Sequence, residues 1–315
     1  MTNSKERKGK LVLRIGVDFG GTKIEAAAIF PSGEVAARHR TANPGDYAAA
    51  VEAVVALVSE VEAETGARFA AIGVGAPGSI SPKTGLMRNA NSAWLNGMPF
   101  REDLQAALGR PVRVTNDANC LALSEAMDGA AAGETVVFAA ILGTGCGGGV
   151  AVRGEALHGA NGIAGEWGHT PLPWPRPEEY PGPRCWCGRD ACMETFVSGK
   201  GFEADYARAT GRSLSAEAVM ASARAGEPDA TAAFDRYVDR LGRGLAVICD
   251  MIDPDAIVLG GGMSNIPELY ARLPDTVARH AFSDAFATRI LQAKHGDSSG
   301  VRGAAWLWPL EGGAP

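Results

Sequence analysis

The sequence predicts a two-domain α/β protein built from two copies of one domain. Its 315 residues suit two domains of the usual size, about 150 residues each. A succession of strand, glycine turn, strand, turn and strand starts near Leu11 and returns near Val136, about 125 residues further on. Because strands then alternate with helical segments, each copy is expected to carry a sheet with helices on it and a meander that adds antiparallel strands.

The composition excludes several classes of protein. Hydrophobic residues make up 46% and charged residues 21% of the chain, so it is not wholly disordered. A net charge of −6 argues against a surface that grips nucleic acid. The longest apolar run, Val136 to Leu142, is too short for a bilayer, and Arg14 and Asp18 interrupt any signal peptide. Six cysteines are too few for a disulfide scaffold, so we expect a soluble, cytoplasmic protein without a membrane or nucleic-acid partner.

The first copy begins with a predicted β-meander. Its strands and turns are Leu11 to Asp18, Gly20-Gly21, Ile24 to Phe30, Pro31-Ser32-Gly33 and about Val35 to Thr41. The spacing of Ala and Val then predicts a helix from Tyr47 to Thr65. Two strands and a helix follow at Ala70 to Gly75, Val112 to Thr115 and about Ala118 to Gly129.

The second copy repeats this order. Its predicted strands and turns are Val136 to Leu142, Gly143 to Gly149, Val150 to Arg153 and Gly154-Glu155. A long helix, about Ala230 to Ile252, precedes a strand from Ala256 to Leu259. The C-terminal segment, with Trp306 and Trp308, is expected to dock as a helix on the first domain.

Asp18-Phe19-Gly20-Gly21-Thr22-Lys23 is the first motif with chemical meaning. Gly20 and Gly21 allow the backbone to approach phosphate oxygens, and Thr22 and Lys23 add a hydroxyl and a cation. Asp18, at the end of a strand, can hold Mg²⁺ directly or through water. Alone, however, the motif fits an ordinary glycine hairpin better.

Two further glycine clusters favour a nucleotide site. Gly143-Thr144-Gly145 forms a second hairpin, so one hairpin from each domain could close on a triphosphate. Gly260-Gly261-Gly262 offers a flat backbone surface for an adenosine, and Ser264 and Asn265 are placed to cap the next helix. Two segments also spell GxGxxG, at residues 73–78 and 143–148, but neither leads into the helix that a dinucleotide site requires.

A cluster of cysteines predicts a zinc site. The spacing Cys185-x-Cys187-x4-Cys192, with His169 sixteen residues upstream, supplies the four ligands of a closed, structural site. A disulfide is the alternative, which a reducing compartment disfavours. Six of the 18 prolines lie between His169 and Cys185, so this loop has little secondary structure of its own and a metal would fix both its ends.

The chain resembles the ROK family (repressors, open reading frames, sugar kinases), and within it the bacterial manno(fructo)kinases. The resemblance rests on Gly16 to Lys23, Asn89-Ala90-Asn91-Ser92, Asn116-Asp117-Ala118-Asn119, Gly143 to Gly149, Gly165-Glu166-Trp167-Gly168-His169, the cysteine cluster and Lys294 to Trp308. It implies a two-domain actin/hexokinase-like (ribonuclease H-like) ATPase fold with the active site in the cleft between the domains. In one departure, Ala191 stands where the family usually has Gly, so a positive φ there would strain the loop.

The resemblance also assigns residues to the reaction. From spacing alone, Asp117 fits the N-cap of a helix better than a catalytic role. The resemblance implies instead that Asp117 is the base that accepts a proton from the sugar hydroxyl. It further implies that five side chains bind sugar hydroxyls, namely Asn91, Asn116, Glu166, His169 and Glu194, together with Asp117 itself.

We therefore expect an ATP-dependent hexose 6-kinase with fructose preferred and mannose or glucose next. Its cofactors would be ATP, Mg²⁺ and structural Zn²⁺, and the protein would be a homodimer. The expected domains are residues 1–122, completed by 301–315, and residues 123–300, which carry the zinc loop. Alternatives within the family are a glucokinase and an N-acetylhexosamine kinase. A sugar-sensing repressor is disfavoured, because only about ten residues precede the first strand and a helix-turn-helix needs more.

Overall fold

A computed structural model describes residues 13–308, apart from the side chain of Asp297. By their contacts, the described residues divide into one unit of 13–116 with 301–308 and a second unit of 117–300. The division falls after residue 116, earlier than the predicted boundary after residue 122, because the helix that begins at Asp117 packs on strands of the second unit. The predicted stretches 1–12 and 309–315 of the first domain lie outside the described residues.

The first unit is built on a five-stranded sheet. Its strands and a small separate hairpin are β1 (Arg14–Phe19), β2 (Lys23–Ile29), β3 (Val35–Ala42), β4 (Ile72–Gly75), β5 (Ser79–Ile80), β6 (Met87–Arg88) and β7 (Val112–Thr115). The sheet order is β3-β2-β1-β4-β7, with β5 paired to β6 outside it. The meander β1–β3 is antiparallel, and β4 and β7 join β1 in parallel.

The second unit repeats this topology. Its strands are β8 (Val136–Leu142), β9 (Cys146–Val152), β10 (Glu155–Ala156), β11 (Ala256–Gly260) and β12 (Arg289–Gln292). Their order is β10-β9-β8-β11-β12, again with an antiparallel meander and two parallel strands beyond its first strand. The duplication predicted from the glycine turns is therefore present in the strand order of the two sheets.

Helices cover the sheets and share each core with the strands. They are α1 (Tyr47–Thr65), α2 (Phe100–Leu108), α3 (Asp117–Met127), α4 (Glu194–Val197), α5 (Gly199–Thr210), α6 (Ala216–Arg224), α7 (Pro228–Ile252), α8 (Glu268–Ala278) and α9 (Ser299–Trp306). No helix among residues 13–308 combines the length and apolarity needed to cross a membrane.

Ser264 and Asn265 do not cap a helix as predicted. They lie inside a short 3₁₀ turn, Gly262–Asn265, and the Ser264 hydroxyl donates to the carbonyl of Gly261 at 2.6 Å. Helix α8 starts only at Glu268, after Pro267, whose ring suits a helix start. The hydroxyl thus stabilises the glycine turn at the end of β11 rather than a helix.

Helix α9 lies against the sheet of the first unit because two glycines make room for it. A Cβ on Gly16 would clash with the backbone of Val301 and Ala305, and a Cβ on Gly73 would clash with that of Ala304. The segment that follows α9 is also held by a hydrogen bond, since the Trp308 indole donates to the Ile72 carbonyl at 2.9 Å.

Candidate active site and metal centre

A cavity of about 500 Å³ opens beside the second glycine hairpin, within the unit of residues 117–300. Gly143 and Thr144 line it together with Gly262, so two of the predicted glycine clusters meet there. Gly261 explains how they approach each other. Its φ is 82°, and a Cβ on it would lie 2.7 Å from the carbonyl carbon and oxygen of Leu142. Only glycine allows the turn after β11 to touch the hairpin that follows β8.

Charged side chains that the sequence analysis missed complete the wall of this cavity. Lys200 and Glu203 on α5 pair at 2.9 Å, and Arg224 at the end of α6 lines the opposite part while pairing with Glu268. The backbone brings α5 here, because the Gly199 N–H donates to the Gly143 carbonyl at 2.7 Å. The run Ser-Gly-Lys-Gly at 198–201 is the sequence signal that could have pointed to this lining. Backbone N–H groups and cations around one cavity suit a nucleotide phosphate.

The first hairpin, between β1 and β2, belongs to the other unit. The Gly20 N–H donates to the Lys23 carbonyl at 2.9 Å, and the Asn43 side-chain amide donates to the Gly20 carbonyl at 2.7 Å. The tight turn leaves Gly21 facing the loop after β6, where a Cβ would lie 3.4 Å from the Ser92 hydroxyl. The predicted phosphate hairpin and the loop of Asn91 therefore adjoin within this unit. Asp18 is the next-to-last residue of β1, as its proposed role requires.

Asn91 and Asn116 lie at loop positions of the first unit. Asn91 is exposed, and the loop before it is fixed by Asn96, whose side chain accepts from the Ala90 N–H and donates to the Ala90 carbonyl, both at 2.9 Å. Asn116 follows β7 directly. Sequence reasoning placed Asn116 where a strand gives way to a helix, and it lies between β7 and α3 in the structure.

Asp117 is the first residue of α3. Its carboxyl is open to solvent, yet the protein packed around it desolvates the charge and raises the pKa of the Asp117 carboxyl above its ordinary value. The backbone N–H of Ala118, 2.9 Å from Oδ1, opposes that rise without cancelling it. A carboxylate with a raised pKa is a stronger proton acceptor, which suits a general base.

The turn that carries Glu166 packs on strand β9 through glycines. A Cβ on Gly168 would clash with the Cys146 carbonyl, and a Cβ on Gly165 would lie 2.5 Å from the Gly148 carbonyl oxygen. The Trp167 indole donates to the Gly147 carbonyl at 2.8 Å. Close packing of backbone on backbone fixes the turn and leaves the Glu166 side chain exposed.

The four predicted zinc ligands come together. The Nδ1 or Nε2 atom of His169 and the Sγ atoms of Cys185, Cys187 and Cys192 all lie within 4.8 Å of one another. The Cys187 and Cys192 sulfurs are 3.6 Å apart, and Cys185 Sγ is 3.7 Å from His169 Nδ1. Tetrahedral zinc, with Zn–S near 2.3 Å and Zn–N near 2.0–2.1 Å, requires separations of about 3.8 Å and about 3.6 Å. The residues present therefore fit a Cys3His zinc site.

The proline-rich loop between His169 and Cys185 is anchored in its middle by buried charges. Glu179 accepts from Arg240 at 2.7 Å and from Arg243 at 2.7 and 2.9 Å, and Arg243 also donates to the carbonyls of Pro173 and Trp174. Burial alone would raise the pKa of Glu179, but the two guanidinium groups lower it to about 2. The carboxylate thus stays charged, and helix α7 holds the loop even where no metal contacts it.

Ala191 adopts the strained backbone that the sequence analysis considered. Its φ is 56°, in the left-handed region that glycine usually occupies. Gly182, itself at φ 80°, lies beneath it, and a Cβ on Gly182 would be 2.5 Å from the Ala191 methyl. Because Gly182 has no side chain, there is space beside it for the methyl group of Ala191.

Hydrogen bonds to both of its carboxylate oxygens orient Glu194, which lies at the start of α4. Oε2 accepts from the Cys146 N–H at 2.9 Å, and Oε1 accepts from the Trp186 indole at 2.7 Å. A Cβ on Gly145 would lie 2.6 Å from Oε2, so the glycine of the hairpin admits the carboxylate. Burial, and then the Glu194 charge, raise the pKa of the Cys146 thiol, which stays neutral outside the zinc cluster.

Two solved structures share this architecture over nearly the whole chain. The ROK hexokinase from Thermus thermophilus is 33% identical with a TM-score of 0.85, covering 94% of this chain and 97% of its own. A ROK family glucokinase from Streptomyces griseus, in complex with glucose and AMPPNP, is 29% identical with a TM-score of 0.70 and coverages of 96% and 100%. The predicted two-domain actin/hexokinase-like fold is confirmed.

A curated relative corrects the predicted subfamily. The N-acetyl-D-glucosamine kinase from Photobacterium profundum is 40% identical over 297 residues, 93% of this chain and 98% of its own length. The prediction of a manno(fructo)kinase with fructose preferred is therefore wrong. The motifs used for it were assigned to phosphates, a metal and the hydroxyls that hexoses share, so they do not carry the distinction among sugars. The pattern of the ROK family matches residues 14–311, and this chain belongs to the ROK family.

Proposed function

We propose that this protein is an ATP-dependent sugar kinase that phosphorylates N-acetyl-D-glucosamine at its C6 hydroxyl. The observation that carries the proposal is the 40% identity to the Photobacterium profundum kinase over nearly the full length of both chains. ATP as the donor is supported by the cavity at Gly143, Thr144 and Gly262, and by the AMPPNP named for the Streptomyces glucokinase.

Asp117 is the proposed base. The C6 oxygen forms a bond to the γ-phosphorus while the bond from that phosphorus to the β,γ-bridging oxygen breaks and ADP leaves. The hydroxyl proton passes to the Asp117 carboxylate, whose raised pKa supports this role. Amide and imidazole groups that donate and accept, and carboxylates that accept, suit the hydroxyls of a polyol. Hydroxyl binding is therefore proposed for the residues that the family resemblance implies, Asn91, Asn116, Glu166, His169 and Glu194.

Two metals belong to the proposal. Asp18 is the residue proposed to hold Mg²⁺, directly or through water, and the ion would supply neutralisation of charge on the phosphates when bound. His169, Cys185, Cys187 and Cys192 are proposed to hold structural zinc, supported by sulfur and nitrogen separations close to those of a tetrahedron. Their part is to fix the ends of the proline-rich loop and thereby the start of α4, where Glu194 lies.

A coupled assay of ADP formation tests the substrate. N-acetylglucosamine, N-acetylmannosamine, glucose, mannose and fructose are compared at fixed ATP, and N-acetylglucosamine is expected to give the highest kcat/KM. A glucose kinase is the second candidate, because the Streptomyces griseus and Thermus thermophilus structures are a glucokinase and a hexokinase at 29% and 33% identity. A kcat/KM for glucose above that for N-acetylglucosamine would decide for this second candidate.

A further inference from the structure

Trp186 is an exposed tryptophan whose polar atom points into the candidate sugar site. Its side chain is 71% exposed, yet its indole N–H donates to Glu194 Oε1 at 2.7 Å. Its ring also packs edge-on against His169, with centroids 5.0 Å apart and planes at 84°. These are the two contacts of interest, because Glu194 and His169 are both assigned to the sugar. A tryptophan held only by surface packing would make neither of them.

The turn that carries Trp186 is itself fixed. Trp186 lies between Cys185 and Cys187, and the Gly188 N–H closes the turn on the Cys185 carbonyl at 3.0 Å. The Cys185 N–H donates in turn to the Arg189 carbonyl at 2.8 Å. Because the backbone is held on both sides of the indole, its N–H has a defined position toward Glu194.

The closest donors to Glu194 act on different oxygens. The Cys146 N–H fixes Oε2, and the Trp186 indole fixes Oε1, where the Cys185 thiol adds a longer contact at 3.9 Å. Oε2 thus keeps a lone pair for another donor. The carboxylate is thereby held in one rotamer before any sugar binds, which lowers the entropy lost on binding. We propose that Trp186 is a positioning residue that orients Glu194 for a sugar hydroxyl; this rests on the proposed function, in which Glu194 binds the sugar.

The variant Trp186→Phe tests this proposal in the full-length protein. Phenylalanine keeps a ring against His169 but has no N–H for Glu194. Loss of one hydrogen bond to a charged group at an exposed site should raise the KM for N-acetylglucosamine about threefold to tenfold. The kcat should stay within about twofold and the KM for ATP should be unchanged, because an orienting contact acts on sugar binding. The melting temperature and zinc content should also match wild type.

Trp174→Phe is the matched control. Trp174 is 53% exposed in the proline-rich loop that precedes Cys185, and its ring stacks on His280 at 5.7 Å. Saturating N-acetylglucosamine should change the tryptophan emission of wild type and of Trp174→Phe, and this change should be lost in Trp186→Phe. A Trp186→Phe variant with wild-type KM, or a Trp174→Phe variant with an equal rise in KM, would overturn the proposal.

Failure of this proposal and failure of the proposed function are separable. Wild-type turnover of N-acetylglucosamine tests the function by itself. The ratio of KM between Trp186→Phe and wild type is then measured with whichever of N-acetylglucosamine and glucose the wild type uses more efficiently. A raised ratio on glucose supports the role of Trp186 even where the sugar assignment fails, and an unchanged ratio on the better sugar refutes it.

Discussion

Arg243 and Glu179 form a buried ion pair between helix α7 and the middle of the proline-rich loop. One guanidinium nitrogen, Nη2, donates to both carboxylate oxygens. The two hydrogen bonds measure 2.7 and 2.9 Å, and Arg243 is 2% exposed. Arg240 adds a third bond to the same carboxylate at 2.7 Å. The loop between His169 and Cys185 is thus held at its centre by charge, and the proposed zinc would hold its two ends.

Arg243→Met should destabilise the protein strongly. Removing one partner leaves Glu179 buried with less compensation, which typically costs about 3–5 kcal/mol of unfolding free energy. Chemical denaturation measures this cost. Arg212→Met is the matched control, because Arg212 pairs with Glu227 and Asp229 at the exposed surface, where an ion pair contributes little. Equal stability of the two variants would contradict the assignment of Arg243 as an anchor.

The same pair predicts how stability depends on pH. The pKa of Glu179 is lowered to about 2 in the folded protein, below that of an ordinary carboxyl. Its contribution should therefore be complete above the ordinary carboxyl pKa and should be lost as the pH falls toward 2. The difference in unfolding free energy between wild type and Glu179→Gln should shrink over that acidic range. A difference that stays constant down to pH 2 would contradict the low pKa.

Cys187→Ala should lose the metal. Purified wild type is expected to carry about one zinc per chain, and three ligands hold zinc far more weakly than four. The KM for the sugar should rise about tenfold, because the start of α4 and Glu194 shift, while the affinity for ATP stays nearly unchanged. Elemental analysis and sugar kinetics measure these effects. Cys249→Ala, a buried cysteine outside the cluster, should keep its zinc; wild-type protein purified without chelators and without zinc would contradict the site.

Asp117→Asn should nearly abolish phosphoryl transfer while sugar binding persists. The amide keeps the shape but cannot accept the proton, so kcat should fall about 10²- to 10⁴-fold. In wild type, kcat/KM should fall as the pH drops through the raised pKa of Asp117, since only the carboxylate is a base. Steady-state kinetics and calorimetric titration of sugar separate the two effects. A variant with more than a tenth of the wild-type kcat would exclude Asp117 as the base.

Gly261→Ala should weaken ATP binding. A Cβ there would lie 2.7 Å from the Leu142 carbonyl, so the turn would move away from the hairpin that lines the cavity. Gly226→Ala is the matched control, because Gly226 has nearly the same φ, 83° against 82°, and no atom within 4 Å of an added Cβ. Both variants place an alanine at a positive φ, which costs about 1–3 kcal/mol, but only Gly261→Ala should raise the KM for ATP. Equal KM values for ATP in the two variants would contradict a role of this turn in nucleotide binding.

Much of the fold could be predicted because the signals are local. The Ala and Val spacing of α1 and the apolar run of β8 give bounds that match the structure, as do the bounds predicted for β7. The repeated meander could be predicted for the same reason. A tight hairpin needs glycine in the few residues between its two strands, so the glycine turns indicate where the hairpins lie.

The buried charges could not be predicted in this way, because their partners are distant in sequence. Arg240 lies on the same face of α7 as Tyr237 and Gly244, and all three are buried. A charged residue on an otherwise buried face is a signal, but the sequence does not say that Glu179, about sixty residues away, is its partner. The cavity residue Arg224 carries no such signal, since charges on amphipathic helices usually face solvent. For Lys200 the run Ser-Gly-Lys-Gly at 198–201 was available but not used.

Identification of the product tests the proposed reaction most directly. Wild-type protein is incubated with ATP, Mg²⁺ and N-acetylglucosamine, and phosphorus NMR assigns the carbon that carries the new phosphate. The expected product is N-acetylglucosamine 6-phosphate, formed in an amount equal to ADP, with Asp117→Asn giving no product on the same time scale. A phosphate on the anomeric oxygen, or ADP accompanied only by inorganic phosphate, would contradict the assignment of this chain as a hexose 6-kinase.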